Sequence, residues 1–241
     1  MLPSSTPPLA VIVGVGPGLG AALAARFAAG GHALALLSRS EHARQSVLAQ
    51  LAAHGQTGHG YDCDAGDPAS VAAAFARIRA TQGQPAVLVY NAGMFLQGGI
   101  LELDPARFEA AWRVNCLGGY LATREVLPAM LAAGGGTILF TGATAALRGG
   151  ARFAGLAVGK SGLRALAQST AREFGPRGIH VAHVVIDGRI GTPDARTRQP
   201  EADAESCLDP AAIAESYWQL CQQPRSAWTL EMDLRPAMEK F

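Results

Sequence analysis

Short apolar runs alternate with longer amphipathic segments along most of the chain. The runs are rich in β-branched residues and are bounded by glycine, proline or polar residues, which is the pattern of buried strands. They are Leu9–Val13, Ala33–Leu37, Pro85–Tyr90, Thr137–Phe140 and Ile179–Ile186. A weaker strand is predicted to end at Asp64, and Trp228–Leu234 is a candidate for a final strand.

The segments between the apolar runs predict helices, several of them with recognisable ends. Asp67-Pro68, Asp104-Pro105 and Asp209-Pro210 each place an N-cap residue before a proline in the first turn. Gly30-Gly31 and Gly175-Pro176 are typical helix ends. The predicted helices are Ala21–Ala29, Glu41–His54, Val71–Arg79, Pro105 to about Leu131, Lys160–Phe174 and Pro210 to about Leu220.

Strands and helices that alternate in this way indicate a parallel sheet with helices on both faces. The sequence therefore predicts the α/β class, with a single doubly wound, Rossmann-type sheet. We assign residues 9–241 to one domain, which follows a flexible, proline- and serine-rich N-terminus at residues 1–8.

Composition and charge narrow the function classes. The chain has 20 basic and 19 acidic residues, a formal charge of +1 and no basic run, which disfavours nucleic acid as the main partner. Residues 1–25 and 126–147 lack charge, but glycine or proline interrupts both, so we expect neither a signal peptide nor a membrane span. The four cysteines lie far apart without metal-ligand spacing, so we expect no metal, free thiols and a cytoplasmic location.

The glycines at 14, 16, 18 and 20 follow a predicted strand and open a predicted helix. This arrangement suits a dinucleotide pyrophosphate, because the turn must be tight and the helix N-terminus offers free N–H groups. The alternative is a glycine-rich turn that only packs the strand on the helix.

The residues after the second strand bear on the choice of cofactor. That strand ends in Ser38-Arg39, with no acidic residue before Glu41. A carboxylate there would bind the ribose hydroxyls of NAD, whereas an arginine accommodates the 2′-phosphate of NADP. We therefore expect NADP(H) to be favoured over NAD(H), the alternative being that Arg39 is an ordinary surface residue.

Several motifs, in order, resemble those of the short-chain dehydrogenase/reductase family from about residue 9 to about residue 220. Val13–Gly20 is similar to the family's TGxxxGxG motif, with Val13 in place of threonine, and Asn91-Ala92-Gly93 to its NAG motif. Asn115 matches the asparagine of the catalytic tetrad, and Lys160 the lysine of YxxxK. The cofactor-binding residues implied by the glycine loop, Arg39 and the resemblance are Gly14, Gly16, Pro17, Gly18, Leu19, Gly20, Ser38, Arg39, Asp64, Asn91, Ala92, Gly93, Lys160, Gly188, Ile190 and Thr192.

Two departures concern the chemistry. The family's catalytic tyrosine, four residues before the lysine, is Leu156, and its catalytic serine is Ala143. Thr144 is one residue from the serine position and could donate a hydrogen bond instead, or it could bond its own backbone. Asn115 and Lys160 remain the catalytic candidates, each with a solvent-exposed position as the alternative.

Other residues could replace the missing acid or hold a substrate, although a structural or solvated role is the alternative for each. They are Tyr120, Arg148, Arg152 and Asp187, which stands where the family has the proline of its PG motif. His180 and His183 are expected to be packed within a strand. Residues 193–208 match the segment that forms the family's substrate lid.

Two functions remain open at this point. The first is an NAD(P)(H)-dependent oxidoreductase with a small-molecule carbonyl or activated C=C substrate and a non-standard proton donor. The second is a non-catalytic NADP(H)-binding protein that acts as a sensor or scaffold. The resemblance also implies a homodimer or homotetramer.

Overall fold

The computed structural model describes residues 6–192 and 204–238. Its main sheet has seven parallel strands in the order β3-β2-β1-β4-β5-β6-β9. These strands are β1 (Leu9–Val13), β2 (Ala33–Ser38), β3 (His59–Asp62), β4 (Pro85–Tyr90), β5 (Gly136–Thr141), β6 (Ile179–Ile186) and β9 (Glu231–Leu234). The predicted doubly wound α/β fold is confirmed, and the order reverses between β1 and β4, where such sheets open a ligand crevice.

Helices cover both faces of this sheet. They are α1 (Leu19–Ala29), α2 (Glu41–Ala53), α3 (Pro68–Gln82), α4 (Pro105–Trp112), α5 (Gly118–Ala132), α6 (Ala154–Phe174) and α7 (Pro210–Cys221). One apolar cluster includes Phe75, Phe140 and Leu163, and the other includes Phe27 and Tyr217. Each cluster fills the space between one face of the sheet and its helices.

Two predicted helices differ most from the observed ones, whereas α1 and α3 only extend a few residues beyond their predicted ends. The long helix from Pro105 is divided by a π-helical turn, Arg113–Leu117, between α4 and α5. Helix α6 begins at Ala154, six residues before the predicted start at Lys160. Gly155 and Gly159 weaken the helical pattern there, because glycine has a low helix propensity. Close packing nevertheless requires both: a Cβ added at Gly155 would lie 2.7 Å from a Leu96 methyl group, and one added at Gly159 would lie 2.5 Å from the Asn115 Cβ.

Other differences concern strands. Strand β3 ends at Asp62, two residues earlier than predicted, and β9 begins at Glu231 rather than Trp228. Trp228 instead stacks on the His180 ring at 4.9 Å. A second sheet pairs the two-residue strands β7 (Arg189–Ile190) and β8 (Cys207–Leu208), which are too short to predict from periodicity.

Candidate functional site

The glycine-rich turn lies at the carboxyl end of β1 and is packed closely against neighbouring backbone. Gly14 has a φ of +94°, and a Cβ there would lie 2.4 Å from the Ala92 nitrogen. At Gly20 a Cβ would lie 2.8 Å from the Gly14 carbonyl oxygen. At Gly16, in contrast, an added Cβ would meet nothing within 4 Å. Packing thus explains Gly14 and Gly20, whereas Gly16 leaves room for another molecule to approach the backbone.

The N-terminus of α1 faces this turn without a competing anion. Its N-cap residue, Gly18, makes no side-chain cap, and the first turn holds no acidic residue. The first N–H groups of a helix have no partner within it, and the helix dipole adds positive potential there. A cleft of about 260 Å³ lies beside them, lined by the loop glycines together with Pro17, Leu19, Asn91 and Thr192. These groups fit a pyrophosphate.

A second cleft of about 600 Å³ extends from the glycine turn towards β2 and β3. Its walls include Ser38, Arg39, Asp64, Ala92 and Gly93. The Arg39 side chain is 67% exposed, and its nearest guanidinium nitrogen is 4.0 Å from a carboxylate oxygen of Asp64. A guanidinium this open to solvent can still receive a phosphate. Together the two clefts are lined by thirteen of the predicted cofactor-binding residues, although Lys160, Gly188 and Ile190 lie outside their walls.

A hydrogen-bonded network joins the glycine turn to β5. The Asn91 amide nitrogen donates to the Gly14 carbonyl oxygen at 2.9 Å, and Thr141 Oγ1 donates to Asn91 Oδ1 at 3.1 Å. The Thr141 hydroxyl in turn accepts from the buried Tyr217 hydroxyl at 2.8 Å. Thr141 and Tyr217 are not among the predicted site residues, because nothing in the sequence pattern indicates that β5 and α7 meet behind the cleft.

Lys160 extends this network from α6. Its side chain is buried, and Nζ donates to the Thr141 carbonyl oxygen at 2.7 Å. Burial lowers the pKa of Lys160 to about 8, because an ammonium is poorly solvated inside the protein. The alternative that Lys160 is a surface lysine is wrong.

Asn115 lies in the π-helical turn and is completely buried. Its amide pairs with one backbone residue: Oδ1 accepts from the Met94 N–H at 3.1 Å, and Nδ2 donates to the Met94 carbonyl at 2.8 Å. A Cβ built on Gly93 would be 3.4 Å from Asn115 Oδ1 and 3.6 Å from Lys160 Nζ. Both polar groups therefore lie beside Gly93, at the end of the larger cleft, and Asn115 is not a solvated helix position.

The positions of the family's serine and tyrosine carry no hydrogen-bond donor in their side chains. Ala143 precedes the 3₁₀ turn Thr144–Ala146, and Leu156 lies in the first turn of α6; both are half-buried. The Thr144 hydroxyl does not bond its own backbone. It donates to Asp187 Oδ1 at 2.5 Å.

The other candidates have mainly structural surroundings. Arg152 makes two hydrogen bonds to Glu102, at 2.9 and 2.7 Å, whereas Tyr120 and Arg148 are exposed. His180 and His183 are buried, as expected. Of the predicted lid, residues 193–203 lie outside the described residues, as do residues 1–5 of the predicted flexible N-terminus.

His183 is a buried histidine beside the Glu231 carboxylate. Burial lowers its pKa to about 4, even though Glu231 Oε2 lies 3.2 Å from Nδ1 and opposes the shift. The ring is therefore neutral at ordinary pH, and its contact with Glu231 is a hydrogen bond rather than an ion pair.

Residues 6–192 and 204–238 contain neither a candidate metal cluster nor a candidate membrane helix. No group of three or more His, Cys, Asp or Glu side chains there could hold a metal ion. No helix in the same residues has the length and apolar character to cross a membrane.

Comparison with known proteins identifies the family. The family model described as short chain dehydrogenase matches residues 8–202, and the chain belongs to that family. The chain is 30% identical over 184 residues to 3-oxoacyl-[acyl-carrier-protein] reductase FabG of Escherichia coli, covering 76% of this chain and 74% of that protein.

Solved structures show the same likeness. A short-chain dehydrogenase from Rhodopseudomonas palustris superposes with a TM-score of 0.82 and 38% identity, over 95% of this chain and 98% of that one. A metagenomic short-chain oxidoreductase in complex with NADP gives a TM-score of 0.84 and 28% identity, over 97% and 99% of the two chains.

Proposed function

We propose that this member of the short chain dehydrogenase family is an NADP(H)-dependent oxidoreductase. Its substrate is a small molecule with a carbonyl group or an activated C=C bond, and its active site works without the family's serine and tyrosine. The observation that carries the proposal is the joint burial of Lys160 and Asn115 beside Gly93, at the end of a cleft that begins at Arg39.

The preference for NADP(H) is supported by Arg39. The NADP complex of the related metagenomic enzyme agrees with a nicotinamide dinucleotide in this cleft. In our proposal Arg39 binds the 2′-phosphate, the N-terminus of α1 binds the pyrophosphate, and the Lys160 ammonium donates to the nicotinamide ribose. NADPH supplies a hydride to the substrate when it is bound.

The side chains at 143 and 156 limit the choice of substrate. A carbonyl oxygen gains negative charge when hydride arrives, and loss of one donor to such an oxygen costs about 10²- to 10³-fold in rate. Neither Ala143 nor Leu156 can donate there. Activated C=C bonds, which spread the developing charge further, suit this site better than plain ketones.

A second candidate function rests on the same two residues. With Ala143 and Leu156 in place of serine and tyrosine, the chain could bind NADP(H) without turnover, as a sensor or scaffold. A panel of carbonyl and enoyl compounds with NADPH, measured for wild type and Lys160→Ala, separates the two. Turnover that depends on Lys160 supports the oxidoreductase, whereas tight NADPH binding with no turnover across the panel supports the sensor.

We also propose that the chain forms a homodimer or homotetramer in the cytoplasm. Trp112 of α4, Tyr120 of α5 and Val158 of α6 are apolar or aromatic side chains exposed by 36%, 43% and 47%. Burial of such side chains favours assembly. The four cysteines are free thiols, as suits a reducing compartment. Light scattering of the purified protein measures the assembly.

A further inference from the structure

Thr144 and Asp187, two residues that could each replace a missing catalytic donor, are hydrogen-bonded to each other in the fold. Thr144 follows the family's serine position at the end of β5, and Asp187 follows β6. Their side chains share the 2.5 Å hydrogen bond from Thr144 Oγ1 to Asp187 Oδ1, 43 positions apart in sequence. Because β5 and β6 are parallel neighbours, both residues lie at the carboxyl edge of the sheet, the edge that also carries the glycine turn after β1.

The Asp187 carboxylate is fixed on its other side by the C-terminal segment. Its Oδ2 is 3.5 Å from an Arg235 guanidinium nitrogen, and its backbone N–H donates to the Leu234 carbonyl at 2.8 Å. Arg235 also pairs with Asp233. Asp187 is only 8% exposed, so Oδ1 is held in place facing the hydroxyl of Thr144.

Exposure distinguishes Thr144 from the neighbouring threonine. Thr141 is buried, and its hydroxyl is engaged by both Asn91 and Tyr217. Thr144 is half-buried, and a hydroxyl oxygen that donates its own proton still has lone pairs that can accept another. A hydroxyl that is hydrogen-bonded to a buried carboxylate has the arrangement of a base-activated group.

We propose that the Thr144–Asp187 pair accepts the proton when a secondary alcohol is oxidised by NADP+, a role that rests on the proposed function. The substrate O–H bond breaks and its proton moves to Thr144 Oγ1, while the Thr144 proton moves to Asp187 Oδ1. The substrate C–H bond breaks at the same time, and its hydride reduces NADP+ to NADPH. The products are a ketone, NADPH and a protonated Asp187, which releases its proton to water.

The test uses the full chain with NADP+ and two secondary alcohols, cyclohexanol and 1-phenylethanol, and measures NADPH formation and NADP+ affinity. Thr144→Val and Asp187→Asn should each lower kcat by about 100-fold or more, because a positioned proton acceptor contributes about 10²- to 10⁴-fold. Their NADP+ affinity should stay within about threefold of wild type. Thr144→Ser restores a hydroxyl and should recover most of the rate.

Asp233→Asn is the matched control, because it changes the other carboxylate partner of Arg235 and leaves the Thr144–Asp187 bond in place. It should keep wild-type kcat. The inference is overturned if Thr144→Val or Asp187→Asn retains kcat, if Thr144→Ser fails to recover it in a folded protein, or if kcat falls only together with NADP+ affinity. It is also overturned if wild type binds NADP+ and oxidises neither alcohol, an outcome that leaves the proposed function standing. Failure of wild type to bind either nucleotide would overturn both.

Discussion

Lys160 Nζ donates a 2.7 Å hydrogen bond to the carbonyl oxygen of Thr141, so the ammonium of α6 is attached to the end of β5. The Thr141 side chain continues this connection to Asn91, whose amide bonds to Gly14 in the glycine turn. One network thus links the lysine at one end of the cleft to the loop beside the helix N-terminus. All of these hydrogen bonds are present although the side chains of Ala143 and Leu156 carry no hydroxyl group.

Replacement of Lys160 by methionine should change how stability depends on pH. Burial lowers the pKa of Lys160 from 10.5 to about 8, so between these values the unfolded chain binds more protons than the folded one. The free energy of unfolding should therefore gain a contribution from Lys160 that rises with pH across this window. Lys160→Met should lack that rise and should also bind NADPH more weakly.

Urea unfolding between pH 8 and pH 10.5 gives the free energy of unfolding of wild type and of Lys160→Met, and the difference between them measures the contribution of Lys160. The only other lysine of the chain is Lys240, near the C-terminus, so few amines compete with the signal. Parallel curves for the two proteins would contradict the buried ammonium.

Gly14 and Gly16 should respond differently to the same change, glycine to alanine. Gly14→Ala places a Cβ 2.4 Å from the Ala92 nitrogen at a φ of +94°, and backbone strain of this kind costs roughly 1–3 kcal/mol. Gly16→Ala meets no protein atom within 4 Å, so its melting temperature should stay close to that of wild type. NADPH affinity should nevertheless fall in Gly16→Ala, because the methyl group enters the space assigned to the pyrophosphate.

Thermal melting with and without NADPH checks both glycine variants. We expect a low melting temperature for Gly14→Ala. For Gly16→Ala we expect the wild-type melting temperature with a smaller increase on adding NADPH. If Gly16→Ala bound NADPH as tightly as wild type, the pyrophosphate would not approach this turn.

His183 should make the protein sensitive to acid. Its pKa is about 4 in the fold and 6.5 as the ordinary value, so between these the unfolded state binds the extra proton. The free energy of unfolding should fall as pH drops from 6.5 to about 4, and His183→Gln should reduce that fall. His42→Gln, at an exposed position of α2, is the control for a histidine-to-glutamine change away from Glu231. Equal effects of the two substitutions would contradict the assignment.

Serine and tyrosine can be introduced at positions 143 and 156, where the family has its catalytic hydroxyl groups. Ala143→Ser with Leu156→Tyr should raise ketone reduction by NADPH, by up to about 10²- to 10⁴-fold, because a positioned acid contributes that much. Ala143→Ser with Leu156→Phe is the matched control, since it adds the ring without the hydroxyl. Initial rates with cyclohexanone measure both proteins, and equal rates would show that Lys160 and Asn115 are not placed to support the family chemistry.

The strands and the glycine turn were predictable from sequence because each depends on a local pattern. Buried parallel strands are continuous apolar runs, and the glycine turn follows one of them directly. The π-helical turn at Asn115 was not predictable, since its periodicity differs from that of an α-helix only over five residues. The early start of α6 was not predictable either, because Gly155 and Gly159 have a low helix propensity and are required there by close packing between elements.

The candidate site likewise combines residues that are predictable from sequence motifs with contacts that depend on tertiary packing. Asn115 and Lys160 were found through motif positions, whereas the burial of Lys160 and its bond to Thr141 depend on the packing of α6 against β5. The bond between Thr144 and Asp187 was also beyond sequence reasoning, although both residues had been singled out. Only the parallel pairing of β5 and β6 brings their two ends together.

The most direct test of the account is a fluorescence titration of the purified chain with NADPH and with NADH, repeated for Arg39→Ala. We predict that wild type binds NADPH more tightly than NADH, and that Arg39→Ala loses about 10- to 100-fold in NADPH affinity, as expected for one charge-assisted contact to a phosphate. NADH affinity should change little, and Arg107→Ala, on α4, should leave both affinities unchanged. Equal binding of the two nucleotides, unaffected by Arg39→Ala, would contradict the cofactor assignment, and no binding of either would contradict the proposed oxidoreductase function itself.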